Sequence, residues 1–223
     1  MKASWTALCT LLSLVNQSSA NLDIITLPAW GSTWIQEAVA TLVLADVPAS
    51  ITGDVALWSA IMMDQDDFLQ GVTQNSPGST WCQNLGRNWC NFAYMLKGSS
   101  VTHGAPVKAS SGDRIKTHYK LNSTTKLWDQ DLYINDKLVS HVSTSKEQHG
   151  NVFYVSVECA AKPCTTVPAH SWENISVTLN QPDQSFKHTG SWEHGASGGA
   201  MSTTDNGKTW KFSKLNVPAM VAA

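Results

Sequence analysis

The sequence lacks several features that mark common classes of protein. Only 14% of its residues are charged, and its 15 basic and 17 acidic residues give a net charge of −2 without a block of either sign. This balance argues against nucleic acid and anionic membranes as partners. Beyond the amino-terminal segment there is no run of about 18 apolar residues, which a membrane-spanning helix would need. We therefore expect no membrane partner.

Metal-binding motifs are missing as well. The seven histidines show neither His-x-His nor His-Glu-x-x-His spacing, and no two cysteines form a Cys-x-x-Cys pair. The acids of "MMDQDDFLQ", residues 62–70, are not followed by the glycine-centred turn of a calcium loop. We therefore expect no metal and no other cofactor.

The amino terminus is typical of a secretory signal peptide. Met1-Lys2 is followed by the apolar stretch "ALCTLLSLV" and then by the small residues Ser18-Ser19-Ala20. We expect cleavage after Ala20, secretion, and a single domain over residues 21–223. Two glycosylation sequons, at Asn122 and Asn174, fit a secreted chain and place these residues near the surface.

The cysteines indicate disulfides. Cys9 falls in the signal peptide, which leaves four cysteines in the mature chain. An even number in a secreted protein favours two disulfides over a zinc site, although four cysteines allow three pairings. We favour Cys82–Cys90 and Cys159–Cys164, because each pair flanks a turn-rich loop.

Alternation of apolar and polar residues recurs along the chain and predicts strands. In "NVFYVSVEC", residues 151–159, Tyr154, Ser156 and Glu158 share one face, and Phe153, Val155 and Val157 share the other. Such runs, separated by turn residues, predict an all-β fold of two antiparallel sheets, a sandwich or jelly roll, over residues 38–215. Asp205-Asn206-Gly207 predicts a hairpin turn within it.

Three stretches remain ambiguous. Residues 33–48 have apolar positions at helical spacing but also read as a buried strand that ends at Pro48. Asp64 to Asp67 form either a hairpin tip or part of a strand. His170 and Glu173 are more typical of a strand start than of an acid–base pair. Four tryptophans are candidates for a sugar-binding platform or for the core, namely Trp58, Trp81, Trp89 and Trp128.

Several of these segments resemble the fungal glutamic peptidases, the eqolisins. "ATLVLADVP" precedes "VALWSAIMMDQDDFLQGV", in which Gln65 lies five residues before Gln70; "WCNFAYML", "SSGDRI", "YVSVEC" and "VPAHSWENISV" follow in the family's order. The likeness runs from about residue 29 to residue 180. It implies a concanavalin-like sandwich and favours a strand near residue 40.

The resemblance also implies a catalytic dyad on the concave sheet. In that family a glutamate acts as the general base toward water, and a glutamine amide stabilises the oxyanion. Gln65 matches the glutamine, Tyr154 stands where the glutamate is expected, and Glu158 matches a second acid four residues later. We name Gln65 and Glu158 as the catalytic candidates and expect Trp58, Tyr154, Trp89 and Asp67 in the groove.

Three functional hypotheses follow. The first is a secreted, monomeric, peptidase-like sandwich whose dyad is altered, with lost or changed endopeptidase activity. The second is an active acid endopeptidase that uses Gln65 and Glu158. The third is a protein of the same architecture that binds or cleaves carbohydrate. The ligand in the concave groove would be a polypeptide or a glycan.

Overall fold

The computed structural model describes residues 20–48, 50–76, 81–161 and 163–221. The proposed signal peptide, up to residue 19, lies outside them. The described chain is built of short strands with one turn of 3-10 helix, Phe186–His188, and no α-helix in the described ranges. No helix within these ranges is long and apolar enough to cross a membrane.

The strands are numbered in chain order. The first eleven are β1 (Ala20–Pro28), β2 (Ile35–Val43), β3 (Asp54–Met63), β4 (Phe68–Asn75), β5 (Trp89–Lys97), β6 (Ser100–His103), β7 (Val107–Ala109), β8 (Arg114–Leu121), β9 (Trp128–Ile134), β10 (Lys137–Thr144) and β11 (Gly150–Ala161). The remaining eight are β12 (Thr166–Val167), β13 (His170–Leu179), β14 (Ser191–Trp192), β15 (Ser197–Gly198), β16 (Met201–Ser202), β17 (Thr209–Phe212), β18 (Leu215–Val217) and β19 (Met220–Val221).

These strands form two antiparallel sheets that pack face to face. The groove sheet has the order β14-β1-β11-β3-β4-β5, and β6 and β7 pair with the outer edge of β5. The back sheet has the order β10-β9-β8-β2-β13, and β17 and β18 pair with the outer edge of β13. Among the described strands, the two sheets share one backbone pairing, that of Gly150 on β11 with Ile35 on β2. The predicted two-sheet sandwich is confirmed.

The core lies between the sheets and follows the alternation of the strands. Along β3, Val55, Leu57 and Ile61 enter this core, whereas Ala56, Trp58 and Ala60 form a second apolar cluster on the opposite face of the groove sheet. Successive residues of a strand point to opposite faces, so this one strand contributes to both clusters. The groove sheet therefore carries apolar side chains on both of its faces.

Several local predictions are confirmed. Residues 35–43 of the ambiguous stretch are the strand β2, which begins three residues earlier than the predicted Ala38. Asn206 and Gly207 adopt positive φ angles of 59° and 87° in the turn that joins β16 to β17, as the Asp-Asn-Gly sequence predicts. Both disulfides, Cys82–Cys90 and Cys159–Cys164, are present.

Candidate active site in the concave groove

A groove of about 420 Å³ lies on the outer face of the groove sheet, at the end where β3 begins. Its polar lining comes from four strands: Asn21 on β1, Asp54 on β3, Gln70 and Gln74 on β4, and Glu158 on β11. The apolar lining includes Phe68, Trp81, Phe92 and Tyr94. The groove thus combines carboxyl groups, amide side chains and aromatic rings that are far apart in the sequence.

The register of the strands fixes how the polar residues face one another. Glu158 pairs with Ala56, and Ala56 pairs with Gln74, so Glu158 and Gln74 lie in one row across the sheet. Neighbouring strands are about 4.8 Å apart, which places the two Cα atoms about 10 Å apart. The side chain between them is the methyl group of Ala56, which leaves room above the sheet.

A second row contains Gln70. Tyr154 pairs with Ala60, Ala60 with Gln70, and Gln70 with Tyr94. Tyr154 therefore lies opposite Gln70, across Ala60. The prediction that Tyr154 and Glu158 share one face of β11, with Glu158 displaced along the strand, agrees with this register.

The Glu158 carboxylate is held by a ring from the neighbouring row. Trp58 Nε1, which belongs to the row between those of Glu158 and Gln70, donates a hydrogen bond of 2.9 Å to Glu158 Oε2. The charge on Glu158 contributes to the raised pKa of the Tyr94 hydroxyl, of which burial is the larger cause. Glu158, Gln70 and Gln74 line the same groove, with Gln74 in the row of Glu158 and Gln70 about 13 Å further along β4.

Aromatic rings pack together on the groove face of the sheet, and some of them line the groove. Trp58, Phe68 and Tyr154 pack edge to face, with ring centroids 5.5–6.5 Å apart. Trp81 stacks on Phe92 with centroids 4.9 Å apart and an interplanar angle of 24°. Burial raises the pKa of Tyr154, and the nearby charge of Asp23 adds to this effect. Both tyrosine hydroxyls therefore stay neutral in weak acid.

Gln65, the predicted catalytic glutamine, lies outside the groove. It is exposed in the turn between β3 and β4, so its expected place on a strand of the concave sheet is wrong and the hairpin-tip interpretation is correct. The turn forms because β3 and β4 pair up to Met62 and Phe68, and Asp66 adopts a positive φ of 65°. A side chain at this tip lies beyond the last residue pair of the groove strands.

The acids around Gln65 form hydrogen bonds and an ion pair that hold the turn in place. Asp64 accepts two hydrogen bonds from His149, one from the backbone N–H and one from the ring Nδ1, each 3.0 Å long. Asp67 is buried, accepts a hydrogen bond of 2.8 Å from Ser145 Oγ and pairs with Lys97 at 3.1 Å. Its predicted place in the groove is therefore wrong. In the described part of the chain no three His, Cys, Asp or Glu side chains come together as metal ligands.

The four candidate tryptophans lie in different places. Trp58 is on the groove face of its sheet, but only 1% of it is exposed, and it lies beneath the residues that line the groove. Trp89 lies between the sheets, where its Nε1 donates to Ala45 O at 3.0 Å, so its predicted place in the groove is wrong. Trp128 is also in the core and bonds Gln148 O. Trp81 is the half-buried ring among the four sugar-platform candidates.

A cavity of about 480 Å³ lies on the other side of the molecule, beside His170. Its lining includes Ala45, Ser171 and Asn216 but no carboxyl group. His170 donates from Nδ1 to Pro168 O at 3.1 Å, whereas Glu173 pairs with Arg114 at 2.6 Å and with Lys214 at 3.3 Å. His170 and Glu173 thus have separate structural partners, in agreement with the strand-start interpretation.

Sequence reasoning missed four polar residues of the groove. Asn21, Asp54 and Gln74 were not singled out, and Gln70 served only as a spacing landmark for Gln65. The available signal was the alternation in "FLQGVTQN", residues 68–75, where Gln70, Val72 and Gln74 share one face. An unbroken strand from Phe68 would have placed both glutamines on the face that Glu158 occupies.

Comparison with known proteins supports the architecture. No protein-family model matches the chain, and no curated protein matches it in sequence. Among solved structures, scytalido-glutamic peptidase in complex with a transition-state analogue inhibitor is similar over 87% of this chain and 98% of its own, with a TM-score of 0.53 and 14% sequence identity. At this identity the similarity shows a shared sandwich fold.

Proposed function

We propose that the protein is a secreted hydrolase of the glutamic-peptidase type that cleaves polypeptides bound in the concave groove. The observation that carries the proposal is the Glu158 carboxylate, fixed by Trp58 in a groove that Gln74 lines from the same row. The fold shared with a glutamic peptidase adds support. In this proposal the catalytic pair is altered from the expected one, since the glutamine comes from β4 and not from the hairpin tip.

The geometry suits general-base attack by water. The Glu158 carboxylate accepts a proton from a water molecule while the water oxygen bonds to the carbonyl carbon of the substrate. The carbonyl oxygen becomes an oxyanion, and the side-chain amide of Gln74, in the row of Glu158, donates a hydrogen bond to it. Trp58 Nε1 holds the carboxylate in place through its hydrogen bond.

The burial of the tryptophans favours a polypeptide over a glycan as the ligand. Sugar platforms present the flat face of an exposed aromatic ring to the pyranose. Trp58, Trp89 and Trp128 are each at most 1% exposed and offer no such face, and the half-buried Trp81 has its ring stacked on Phe92. An extended polypeptide instead needs amide and carboxyl groups spaced across strands, which the row of Glu158, Ala56 and Gln74 provides.

Secretion and a monomeric state belong to the same proposal. Two disulfides are compatible with an oxidising compartment. Asn174 is fully exposed at a positive φ of 52°, and Asn122 is half-buried, with its Nδ2 donating to Asp129 at 3.0 Å. Both proposed glycosylation sites therefore lie at the surface, away from the residues that line the groove.

Digestion of denatured casein by the mature protein at pH 3 to 6 tests the proposal. We expect cleavage by the wild-type protein and a loss of about 100- to 10,000-fold in kcat/KM for Glu158→Gln, because the general base is removed. Gln74→Ala should lower kcat by up to about 100- to 1,000-fold, the effect of losing one oxyanion donor.

Two exposed residues provide matched controls. Glu147→Gln removes an exposed carboxylate, and Gln65→Ala removes the exposed amide at the hairpin tip; neither should change the rate. Full activity of Glu158→Gln, or loss of activity in Gln65→Ala, would contradict the proposal. A wild-type protein that digests nothing but binds a member of a glycan panel would favour the carbohydrate hypothesis instead.

A further inference from the structure

A second carboxyl group lines the same groove. Asp54 is the first residue of β3 and lies two residues before Ala56, the partner of Glu158. Asp54 and Glu158 are thus diagonal neighbours on adjacent strands and point to the same face. Diagonal neighbours have Cα atoms about 7–8 Å apart. At this separation both carboxyl groups can reach one peptide bond that is bound between them.

The surroundings of Asp54 favour its neutral form. Its Oδ1 is buried, and no donor in the described ranges forms a hydrogen bond to it. A buried carboxylate oxygen without a donor is costly, whereas a protonated carboxyl group carries no charge to desolvate. Burial accordingly raises the pKa of Asp54 above its usual value of 3.8.

The described residues that line the groove with Asp54 include no positively charged side chain. Glu158 on the adjacent β11, Asn21 on β1 and Tyr94 on β5 line the same groove, and Asp23 on β1 bonds Ser156. Beside Asp54, the Cys159–Cys164 loop approaches closely: a Cβ on Gly53 would clash with Ala161 O. Among the described residues that line the groove there is no Lys, Arg or His.

We propose that Asp54 is the proton donor to the leaving amine in the reaction that Glu158 begins. As the carbon–nitrogen bond of the tetrahedral intermediate breaks, its electron pair goes to the nitrogen, which takes the proton of the Asp54 carboxyl group. The products are a carboxylic acid and an amine. Glu158 is left protonated and Asp54 ionised, and transfer of one proton from Glu158 to Asp54 through solvent restores the starting state. This assignment rests on the proposed peptidase function.

Comparison of an amide with an activated ester separates this role from a structural one. A peptide needs a proton on its leaving amine, whereas a 4-nitrophenyl ester of the same acyl sequence releases a phenolate that needs none. We expect Asp54→Asn to lose about 100- to 10,000-fold in kcat/KM on the peptide and to keep the wild-type rate on the ester. Asp46→Asn, at an exposed aspartate, should match the wild-type protein on both substrates.

The outcomes distinguish this inference from the proposed function. Equal losses on peptide and ester, or no loss on the peptide, would overturn the role of Asp54 while Glu158 remains the base. A wild-type protein that cleaves neither substrate would overturn the proposed function and, with it, this role.

Carboxyl ¹³C NMR of the mature chain gives a readout that does not depend on activity. The Asp54 signal, identified by its loss in Asp54→Asn, should titrate above pH 3.8. Titration at or below this value would overturn the assignment. Asn21 lines the groove, so cleavage after Ala20 would place a new α-amine there. The measurement is therefore made on the mature chain, which carries this amine.

Discussion

At the scale of single residues, Asp54 and Glu158 show how two carboxyl groups in one groove can differ. Glu158 accepts a hydrogen bond from Trp58. Asp54 has a buried oxygen that receives no hydrogen bond from the described residues, and burial raises its pKa. The first carboxyl group therefore suits the role of general base, and the second suits that of general acid.

His170 is a buried titratable residue away from the groove, and it leads to a prediction about stability. Its Nδ1–H donates to Pro168 O, its Nε2 is buried without a partner among the described residues, and burial lowers its pKa below 6.5. As pH falls, His170 of the unfolded chain binds a proton near pH 6.5, whereas His170 of the folded chain binds it only at a lower pH. The contribution of His170 to stability is therefore complete above pH 6.5 and decreases as pH falls toward the folded-state pKa, by at most about 1.4 kcal/mol per pH unit.

Urea unfolding at pH 7 and at pH 5 measures this effect. His170→Leu should reduce the loss of unfolding free energy between the two values, because the variant has no imidazole to protonate. His188→Leu, at an exposed histidine, should keep the wild-type difference. The same pH dependence in His170→Leu and the wild-type protein would refute the prediction.

At the scale of elements, β4 is held from behind by side chains of the back sheet. Tyr119 on β8 accepts a hydrogen bond of 2.7 Å from Gly71 N–H and donates one to Ser59 O. Gln130 on β9 donates its amide to the carbonyl oxygens of Gln70 and Tyr94. These contacts fix the backbone on both sides of Gln70, so the core supports the groove through its polar groups as well as its apolar ones.

Replacing Tyr119 by Phe tests this support. Tyr119 is fully buried, and burial raises the pKa of its hydroxyl, so the hydroxyl stays neutral and the effect should not depend on pH below neutrality. Its loss leaves Gly71 N–H without its partner, which should lower the unfolding free energy by about 1–3 kcal/mol. Tyr133→Phe, at a tyrosine near the surface, should stay within about 0.5 kcal/mol. Chemical denaturation distinguishes the two, and equal stabilities would show that the Tyr119 contact is unimportant.

The sequence predicts these elements where one face of a strand dominates the pattern. In β11, Phe153, Val155 and Val157 alternate with polar or aromatic residues, and the predicted faces are those observed. Gln65 was wrongly placed in the groove and Gln70 was overlooked, because the exact end of β3 decides which side chain reaches the groove. That end depends on contacts such as His149 with Asp64, which come from a segment 85 residues away.

At the scale of the whole molecule, the groove is assembled from positions that no local pattern connects. Residues 21, 54, 70, 74 and 158 come together because β1, β11, β3 and β4 are adjacent in the groove sheet, although β11 follows β3 by nearly a hundred residues. The sandwich could be predicted from alternation, which is local. The order of strands could not, because it depends on non-local pairing.

The central claim is that substrate binds in the concave groove around Glu158. A crystal structure of the Glu158→Gln variant, with a peptide that spans the main casein cleavage site, tests it most directly. We predict an extended peptide across β11, β3 and β4, with its scissile carbonyl oxygen within hydrogen-bonding distance of the Gln74 amide and its scissile nitrogen on the side of Asp54. A peptide bound at the hairpin tip around Gln65, or in the cavity beside His170, would contradict the claim.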